Sequence, residues 1–179
     1  MVTKEEVVGR PTGKATITLE RGPVTQFAAS VLDKNPIYRR ADAARDAGFD
    51  DIPVPPTYFF SAATMFGAFP EDQPADANPD TNPTMEIIGS LMSKGGMVLH
   101  GEQEFIYHGG DWPHVGDTLV GEGSISDVYE KEKSSGGKLE FYVTETTWKN
   151  ERTGQPVVTT KFTLAINCKA DAAEPKPLS

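Results

Sequence analysis

The segment TYFFSAATMFGA, residues 57–68, decides the fold. It holds no charged residue and is apolar almost all round when it is drawn as a helix. A helix of that kind must be buried, because a surface helix needs a polar face. The run Pro53-Val54-Pro55-Pro56 comes directly before it and marks where the helix starts.

Long stretches of alternating apolar and polar residues follow the helix. We predict strands over residues 99–108, 118–129, 139–149 and 157–168, separated by short turns that contain glycine. One face of the last strand is formed by Val158, Thr160, Phe162, Leu164 and Ile166. Successive strands joined by short turns indicate an antiparallel sheet.

The residues before the central helix add one strand and two helices. Residues 15–20 alternate as a short strand, 23–31 have helical spacing, and 41–47 form a short helix. The sequence Asp33-Lys34-Asn35-Pro36 ends the first helix, because the residue before proline is disfavoured in the helical region. A further short amphipathic helix is expected near residues 85–92, from Met85, Ile88 and Leu91 or Met92.

These elements specify one architecture. A sheet of about five strands has an apolar face that another element must cover. Residues 57–68 are the charge-free helix available to cover it. We therefore predict the α+β class, as a single hot-dog domain over residues 1–168 whose antiparallel sheet wraps around one central helix. Residues 169–179 are expected to form a flexible tail. The exposed edges of such a sheet favour dimerisation.

The segment PEDQPADANPDTNP, residues 70–83, interrupts this domain. It has four prolines and four acids but no basic residue, so it is expected to be a long surface loop. The simplest interpretation is a solvated loop without a specific function, and the alternative is a lid or a flap that faces a partner.

Composition excludes several classes of function. The chain has 179 residues with 17 Lys plus Arg against 26 Asp plus Glu, a net charge of −9, which argues against nucleic acid as a partner. No apolar run reaches the ~20 residues of a membrane helix, so we expect a cytoplasmic protein with no membrane partner. The single cysteine, Cys168, is expected to be a structural thiol.

Several motifs occur together in a defined order. They are Leu32-Asp33-Lys34-Asn35-Pro36-Ile37-Tyr38, the run from Gly48 to Thr57, the strand LHGEQEF at 99–105 and the turn Val115-Gly116-Asp117. Over about residues 8–167 the chain resembles the MaoC-like (R)-specific enoyl-CoA hydratases and 3-hydroxyacyl-thioester dehydratases, in particular their N-terminal half-domain. The hallmark of that family is G-D-x-N-P-h-H, where h is a hydrophobic residue.

Tyr38 stands where the family has its catalytic histidine. The resemblance implies that Asp33 and residue 38 hold and activate water. However, a tyrosine with an ordinary pKa near 10 is a poor base at neutral pH. The chain is therefore interpreted as an accessory subunit that shapes the acyl pocket beside a catalytic hot-dog partner. The alternative is a homodimeric hydratase that uses Asp33 and Tyr38.

The resemblance also implies a set of substrate-binding residues: Asn35, Pro56, Thr57, Tyr58 and His100. Free N–H groups near Thr57 and Tyr58 would polarise a thioester carbonyl. Asp33 and Asn35 also have a purely structural interpretation, because both residue types commonly stabilise turns before proline.

The ligand implied by the resemblance is an acyl-CoA or acyl-carrier-protein thioester, in fatty acid or lipid metabolism. No cofactor and no metal are expected, and the spacing of His100, His108 and His114 does not match a metal site. Arg39, Arg40 and Lys94 are candidates to meet the anionic part of the thioester.

Two other functions compete with the hydratase interpretation. Hot-dog thioesterases usually place a carboxylate on or beside the central helix, and residues 57–68 contain none. An acyl-binding or scaffolding module without chemistry is the third hypothesis. Asp33→Ala would leave the activity of a complex unchanged if Asp33 is only a turn residue, while filling the pocket near the central helix would shift the acyl preference.

Overall fold

The computed structural model describes residues 4–66, 68–78, 82–93, 97–134 and 136–167. Cys168, the tail from 169 to 179 and Lys94 lie outside these residues. The α-helices are α1 (Lys4–Val7), α2 (Arg21–Ser30), α3 (Ala41–Asp46), α4 (Tyr58–Ser61) and α5 (Pro83–Ser93). The strands are β1 (Pro11–Thr18), β2 (Met97–Tyr107), β3 (Thr118–Glu132), β4 (Lys138–Asn150) and β5 (Pro156–Asn167).

The five strands form one antiparallel sheet in the order β1-β3-β4-β5-β2. The predicted α+β hot-dog fold is therefore confirmed, with β1 and β2 at the two edges. Trp148 of β4 lies opposite Gly121 of β3 on one side and Val158 of β5 on the other. A β-carbon on Gly121 would lie 2.6 Å from the Trp148 ring, so glycine is required there for the indole to lie flat.

Two apolar clusters cover the same face of the sheet. Near one end, Trp148 and Val158 pack with Val24 of α2 and with Tyr58 and Phe59 of α4. Near the other end, α1 and α5 cover the sheet; this cluster contains Val7, Ile87, Ile125, Tyr142, Leu164 and Ile166. The buried face of α5 includes Ile87, whereas Met85, which we expected on that face, is exposed.

The central helix is shorter and less regular than the predicted span of 57–68. It is α-helical over Tyr58–Ser61 and continues as a π-helix over Ala62–Phe66. The Thr64 hydroxyl donates to the Phe60 carbonyl at 2.8 Å, a bond that competes with the regular backbone ladder. Burial is also incomplete, because Thr64 is exposed and Phe60 is half-buried. Among the described residues, one side of this helix is therefore uncovered.

The described residues of the proline-rich segment, 70–78 and 82–83, lie along the outer edge of β1, in contrast to the expectation of a solvated loop. The Gln73 side chain hydrogen-bonds both the N–H and the carbonyl of Thr16. The Ala77 carbonyl accepts from the Lys14 N–H at 2.7 Å, and the Asn82 side chain donates to the Thr12 carbonyl. Asp76 also pairs with the Lys14 ammonium. The segment thus occupies hydrogen-bonding groups that an edge strand would otherwise expose.

None of the helices in the described part of the chain has both the length and the apolar character required to cross a membrane.

Candidate functional site

Helix α2 positions the motif that starts at Asp33. Its C-terminus closes with two bonds, from the Leu32 N–H to the Ala29 carbonyl at 3.0 Å and from the Asp33 N–H to the Ala28 carbonyl at 2.9 Å. This pattern is a Schellman motif, in which the residue after the C-cap is left-handed and usually glycine. Here that residue is Leu32, with φ of 60° and a side chain that is 82% exposed.

Asp33 and Asn35 make the turn that follows. An Asp33 carboxylate oxygen accepts from the Asn35 N–H at 2.8 Å, and the Asn35 side-chain oxygen accepts from the Ile37 N–H at 3.2 Å. Asn35 thereby caps a 3₁₀ turn over Pro36–Tyr38. Each side chain accepts a hydrogen bond from the backbone N–H two residues later, as Asp and Asn commonly do in turns. The arrangement therefore supports a structural role for both residues.

Tyr38 lies at the end of this turn with its side chain half-buried. Burial, and secondarily the negative charge of Asp33, raises the pKa of the Tyr38 hydroxyl above its ordinary value. The hydroxyl therefore stays protonated at neutral pH, where it can donate a hydrogen bond but cannot accept a proton from water as a base. The Tyr38 carbonyl is held by the Thr25 hydroxyl of α2 at 3.1 Å.

The two arginines after Tyr38 are both engaged within the chain. The Arg39 guanidinium donates to the Asp33 backbone carbonyl and so stabilises the turn that starts at Asp33. Arg40 pairs with Asp42, which lowers the pKa of that carboxyl to about 2 through their hydrogen bond. Binding of an anionic ligand by Arg40 would thus compete with an existing ion pair, and Arg39 is occupied in holding the turn.

The start of the central helix is fixed by two aromatic residues that are distant from it in the sequence. The Tyr107 hydroxyl at the end of β2 donates to the Pro56 carbonyl at 3.0 Å, and the Trp112 indole N–H donates to the Val54 carbonyl at 2.8 Å. The two rings also contact each other, with centroids 5.4 Å apart. No sequence pattern linked them to the helix, because more than 50 residues separate the partners.

Tyr58 is placed differently from the expectation. Its backbone N–H donates to the Pro55 carbonyl at 2.9 Å, so the idea that this N–H is free to polarise a thioester carbonyl is wrong. Its side chain is fully buried against Phe27 of α2, and its hydroxyl has no hydrogen-bond partner among the described residues. Burial, with a smaller effect from Glu20, raises the pKa of Tyr58 to about 12. Thr57 and Pro56 are exposed beside it.

His100 lies on β2 beside the uncovered side of the central helix. Its ring is 5.3 Å from Phe60 of that helix and 4.6 Å from Phe162 of β5, measured between centroids. The predicted site residues therefore form two groups, the turn with Asp33, Asn35 and Tyr38, and the surface where the central helix meets β2. Within the described residues, no hydrogen bond or ring contact joins a member of one group to a member of the other.

Three surface grooves among the described residues contain neither group. One measures about 980 Å³ and lies between β1, β3 and the proline-rich segment. Another, of about 420 Å³, lies on the uncovered face of the sheet and is lined by residues such as Glu104, Glu145 and Lys161. A third borders His114 and Asp117.

The sequence profile of the FAS1-like, dehydratase domain region family matches residues 6–160, which is most of the chain. The chain belongs to this family. The resemblance to the hot-dog hydratases and dehydratases is thereby confirmed at the level of the family and the fold.

Curated relatives agree with this assignment. A UPF0336 protein of Parafrankia sp. is 31% identical over 131 residues, covering 72% of this chain and 74% of the relative. A probable enoyl-CoA hydratase alpha subunit of Thermomonospora curvata is 29% identical over 144 residues, covering 79% of this chain but 42% of that protein.

Solved structures have the same fold. The ChsH1-ChsH2 complex from Mycobacterium tuberculosis contains a chain that matches with a TM-score of 0.67 at 20% identity, covering 94% of this chain and 91% of that one. The HadBC (3R-hydroxyacyl-ACP dehydratase) complex from the same organism matches with a TM-score of 0.62 at 18% identity, covering 92% and 99%.

Proposed function

We propose that the protein is the accessory subunit of an enoyl-thioester hydratase or 3-hydroxyacyl-thioester dehydratase, and that a second hot-dog subunit supplies the catalytic aspartate and histidine. In this reaction the oxygen of water bonds to C3 of the 2-enoyl thioester and a proton is added at C2. The accessory chain would shape the pocket for the acyl group of an acyl-CoA or acyl-carrier-protein thioester. Neither a cofactor nor a metal is invoked.

Tyr38 is the observation that carries the proposal. Hydration needs a group that takes a proton from water and returns one near neutral pH, a task suited to histidine. Burial and the charge of Asp33 both move the pKa of Tyr38 upward, away from neutrality. The substitution at the family's histidine position thus leaves this chain without the proton carrier.

The surroundings of Asp33 support the same interpretation. One of its carboxylate oxygens is engaged by the Asn35 N–H, and its carbonyl is held by Arg39. These contacts give Asp33 a role in the turn that persists without catalysis. The separation of this turn from the surface around Thr57 and His100 is also consistent with a site that one chain does not complete.

The printed names of relatives add support. Two similar structures are complexes, ChsH1-ChsH2 and HadBC, and one relative is a probable alpha subunit of an enoyl-CoA hydratase. Subunit organisation is therefore found among proteins of this fold. The uncovered side of the central helix, at Phe60 and Thr64, is a surface that a partner subunit would cover.

The test is to co-express the chain with a MaoC-like subunit that carries an intact D-x-N-P-x-H motif, and to assay hydration of crotonyl-CoA and longer enoyl-CoA thioesters. We expect an active complex and an inactive isolated chain. In the complex, Asp33→Asn and Tyr38→Phe in this chain should preserve activity, because neither group transfers a proton there; the loss of a proton-transfer group would instead cost about 10²–10⁴-fold. Asp33→Asn keeps an acceptor oxygen for the Asn35 N–H and so preserves the turn.

The homodimeric alternative rests on the proximity of Asp33 to Tyr38, which is close enough for the carboxylate to affect the hydroxyl. In that case the purified chain alone would hydrate enoyl-CoA, and Tyr38→Phe would abolish the activity. Release of free CoA by the chain alone would instead indicate a thioesterase. If no partner associates and no combination hydrates the substrate, the proposal is wrong.

A further inference from the structure

Helix α2 ends in two exposed apolar side chains. Val31 is 54% exposed, and Leu32, the next residue, is 82% exposed. Leu32 also has a left-handed backbone, with φ of 60°, which costs free energy in any residue that carries a β-carbon. Residues in such conformations cluster at functional sites. The strain at Leu32 therefore marks this end of α2 as a candidate contact surface.

Three cations extend from this apolar pair along helix α2. Lys34 is exposed two residues after Leu32. The Arg39 guanidinium donates to the backbone carbonyl of Asp33, and the Arg21 guanidinium donates to the backbone carbonyl of Arg39 at 3.0 Å. Arg21 is the first residue of α2, so the cations span roughly the length of this helix, about 15 Å. We call Arg21, Val31, Leu32, Lys34 and Arg39 the basic strip.

The cations of the basic strip are not neutralised within the chain. Both of its guanidinium groups contact neutral carbonyls, whereas each of the other four arginines pairs with a carboxylate. In the described part of the chain, neither Lys34 nor the two strip arginines form an ion pair. Glu20 and Asp33 flank these cations in the sequence, and the strip stays positive when both are counted. Such a surface stands out in a chain with a net charge of −9.

The composition of the basic strip favours a protein partner over a free phosphate. A phosphate site needs several donors that converge on one group, whereas these three cations are spread along a helix. An exposed valine and leucine give nothing to a phosphate but can pack against an apolar side chain. An acidic helix that presents carboxylates around an apolar residue would match both the charges and the apolar pair.

We propose that the basic strip docks an acidic helix of the acyl carrier protein that delivers the thioester. Leu32 packs on an apolar side chain of the carrier, and the three cations face its carboxylates. A glycine at position 32 would adopt the left-handed backbone without strain, but it would supply no such contact. The identity of the partner as the carrier of the substrate rests on the function proposed above, whereas docking itself is testable with this chain alone.

The test is to titrate a holo acyl carrier protein of net negative charge into the purified chain by isothermal titration calorimetry. The wild type should bind at about 20 mM salt and more weakly at about 0.5 M, because salt screens the attraction between the charges. Leu32→Gly should weaken binding about tenfold, because it removes the apolar side chain buried in the contact. The same substitution relieves the backbone strain, so a loss of binding cannot be attributed to a less stable fold.

Charge neutralisation tests the cations separately. Arg21→Gln with Lys34→Gln should weaken binding about tenfold at low salt and make it less sensitive to salt. Arg39 is kept, because it stabilises the turn. The matched control is Lys131→Gln with Lys149→Gln, which changes the net charge equally at two exposed residues of β3 and β4. This control should bind the carrier as the wild type does.

Free CoA is the second titrant, because its phosphates could meet the same cations without an acidic helix. Binding of CoA, but not of the carrier, that depends on Arg21 and Lys34 would identify a phosphate site and overturn the inference. It is also overturned if the carrier does not bind, if Leu32→Gly binds as tightly as the wild type, or if the lysine control loses as much affinity as the strip variant.

Hydratase activity enters none of these measurements. If the carrier docks as expected but no hot-dog partner yields an active complex, the function proposed above fails while docking by the strip stands. If an active complex forms but the strip variants bind the carrier as the wild type does, the docking inference fails and the proposed function stands.

Discussion

The side-chain amide of Gln73 hydrogen-bonds the backbone of Thr16 at both of its polar groups, donating to the carbonyl at 2.9 Å and accepting from the N–H at 2.8 Å. In the interior of a sheet, a neighbouring β-strand would make these two backbone hydrogen bonds. Here the side chain of one glutamine makes them instead. The same side chain also donates to the Phe69 carbonyl, which anchors the proline-rich segment on which it lies.

Replacing Gln73 with alanine should open the β1 edge. Two half-buried backbone groups of Thr16 lose their partners, and we expect unfolding free energy to fall by about 1–3 kcal/mol. Hydrogen exchange of the Thr16 amide should accelerate more than that of amides in β4. Gln155→Ala is the control, since Gln155 is an exposed turn residue. Equal exchange at Thr16 in both variants would contradict the proposed role of Gln73.

Leu32 carries backbone strain at the end of α2. A non-glycine residue in the left-handed region costs roughly 1–2 kcal/mol, and Leu32 has φ of 60° with little burial to offset that cost. Leu32→Gly should therefore raise the free energy of unfolding by about 1 kcal/mol, as measured by urea denaturation.

Leu32→Ala separates strain from exposure. Alanine removes the exposed apolar side chain but keeps the β-carbon that disfavours this conformation. We expect little or no stabilisation from it. If alanine stabilises as much as glycine, then the exposed side chain rather than the backbone is the source of the effect.

The elements that could be predicted from the sequence are those that local periodicity determines. The alternation from Val158 to Ile166 is enough to define β5, and the apolar segment at 57–68 locates the central helix. Asp33, Asn35 and Tyr38 are near each other in the chain, so a turn that joins them is also a local property. Glycine is the usual residue at a Schellman position, and leucine at 32 therefore gave no signal of the left-handed backbone.

The features that the sequence did not reveal depend on distant contacts. Gln73 and Thr16 are 57 residues apart, so their contact is not visible in the local sequence. Composition therefore predicted a solvated loop, whereas the structure has a segment that hydrogen-bonds the edge of β1. Tyr107 reaches Pro56 across 51 residues for the same reason. The π-helical turn at Ala62–Phe66 was also missed, because an apolar pattern does not distinguish it from an α-helix.

Gly121 and Gly22 respond oppositely to the same substitution. In Gly121→Ala the new methyl group would meet the Trp148 ring at 2.6 Å, so the indole must move and repack, and we expect a loss of about 1–3 kcal/mol. Gly22 in α2 has open space around it, and Gly22→Ala should stabilise by about 0.5–1 kcal/mol. Thermal melts of both variants test this, and intrinsic tryptophan fluorescence should change for Gly121→Ala alone. Similar shifts in melting temperature for the two would contradict the packing argument.

The buried hydroxyl of Tyr58 should make the fold sensitive to alkaline pH. The Tyr58 pKa is about 12 in the folded chain and close to 10 in an unfolded one. Between those values the unfolded state loses a proton that the folded state keeps, so the free energy of unfolding falls as pH rises, by up to about 1.4 kcal/mol per pH unit. Below about pH 10 this contribution is constant.

Tyr58→Phe removes that dependence together with a hydroxyl that has no partner among the described residues. At pH 7 we expect stability to be unchanged or about 1 kcal/mol higher, and above pH 10 the variant should exceed the wild type increasingly. Tyr142→Phe is the matched control, because the Tyr142 hydroxyl donates to the buried Glu140 carboxylate at 2.8 Å. Its loss should destabilise the fold already at pH 7. Urea titrations from pH 7 to 11 distinguish the two, and parallel pH profiles for wild type and Tyr58→Phe would contradict the assignment.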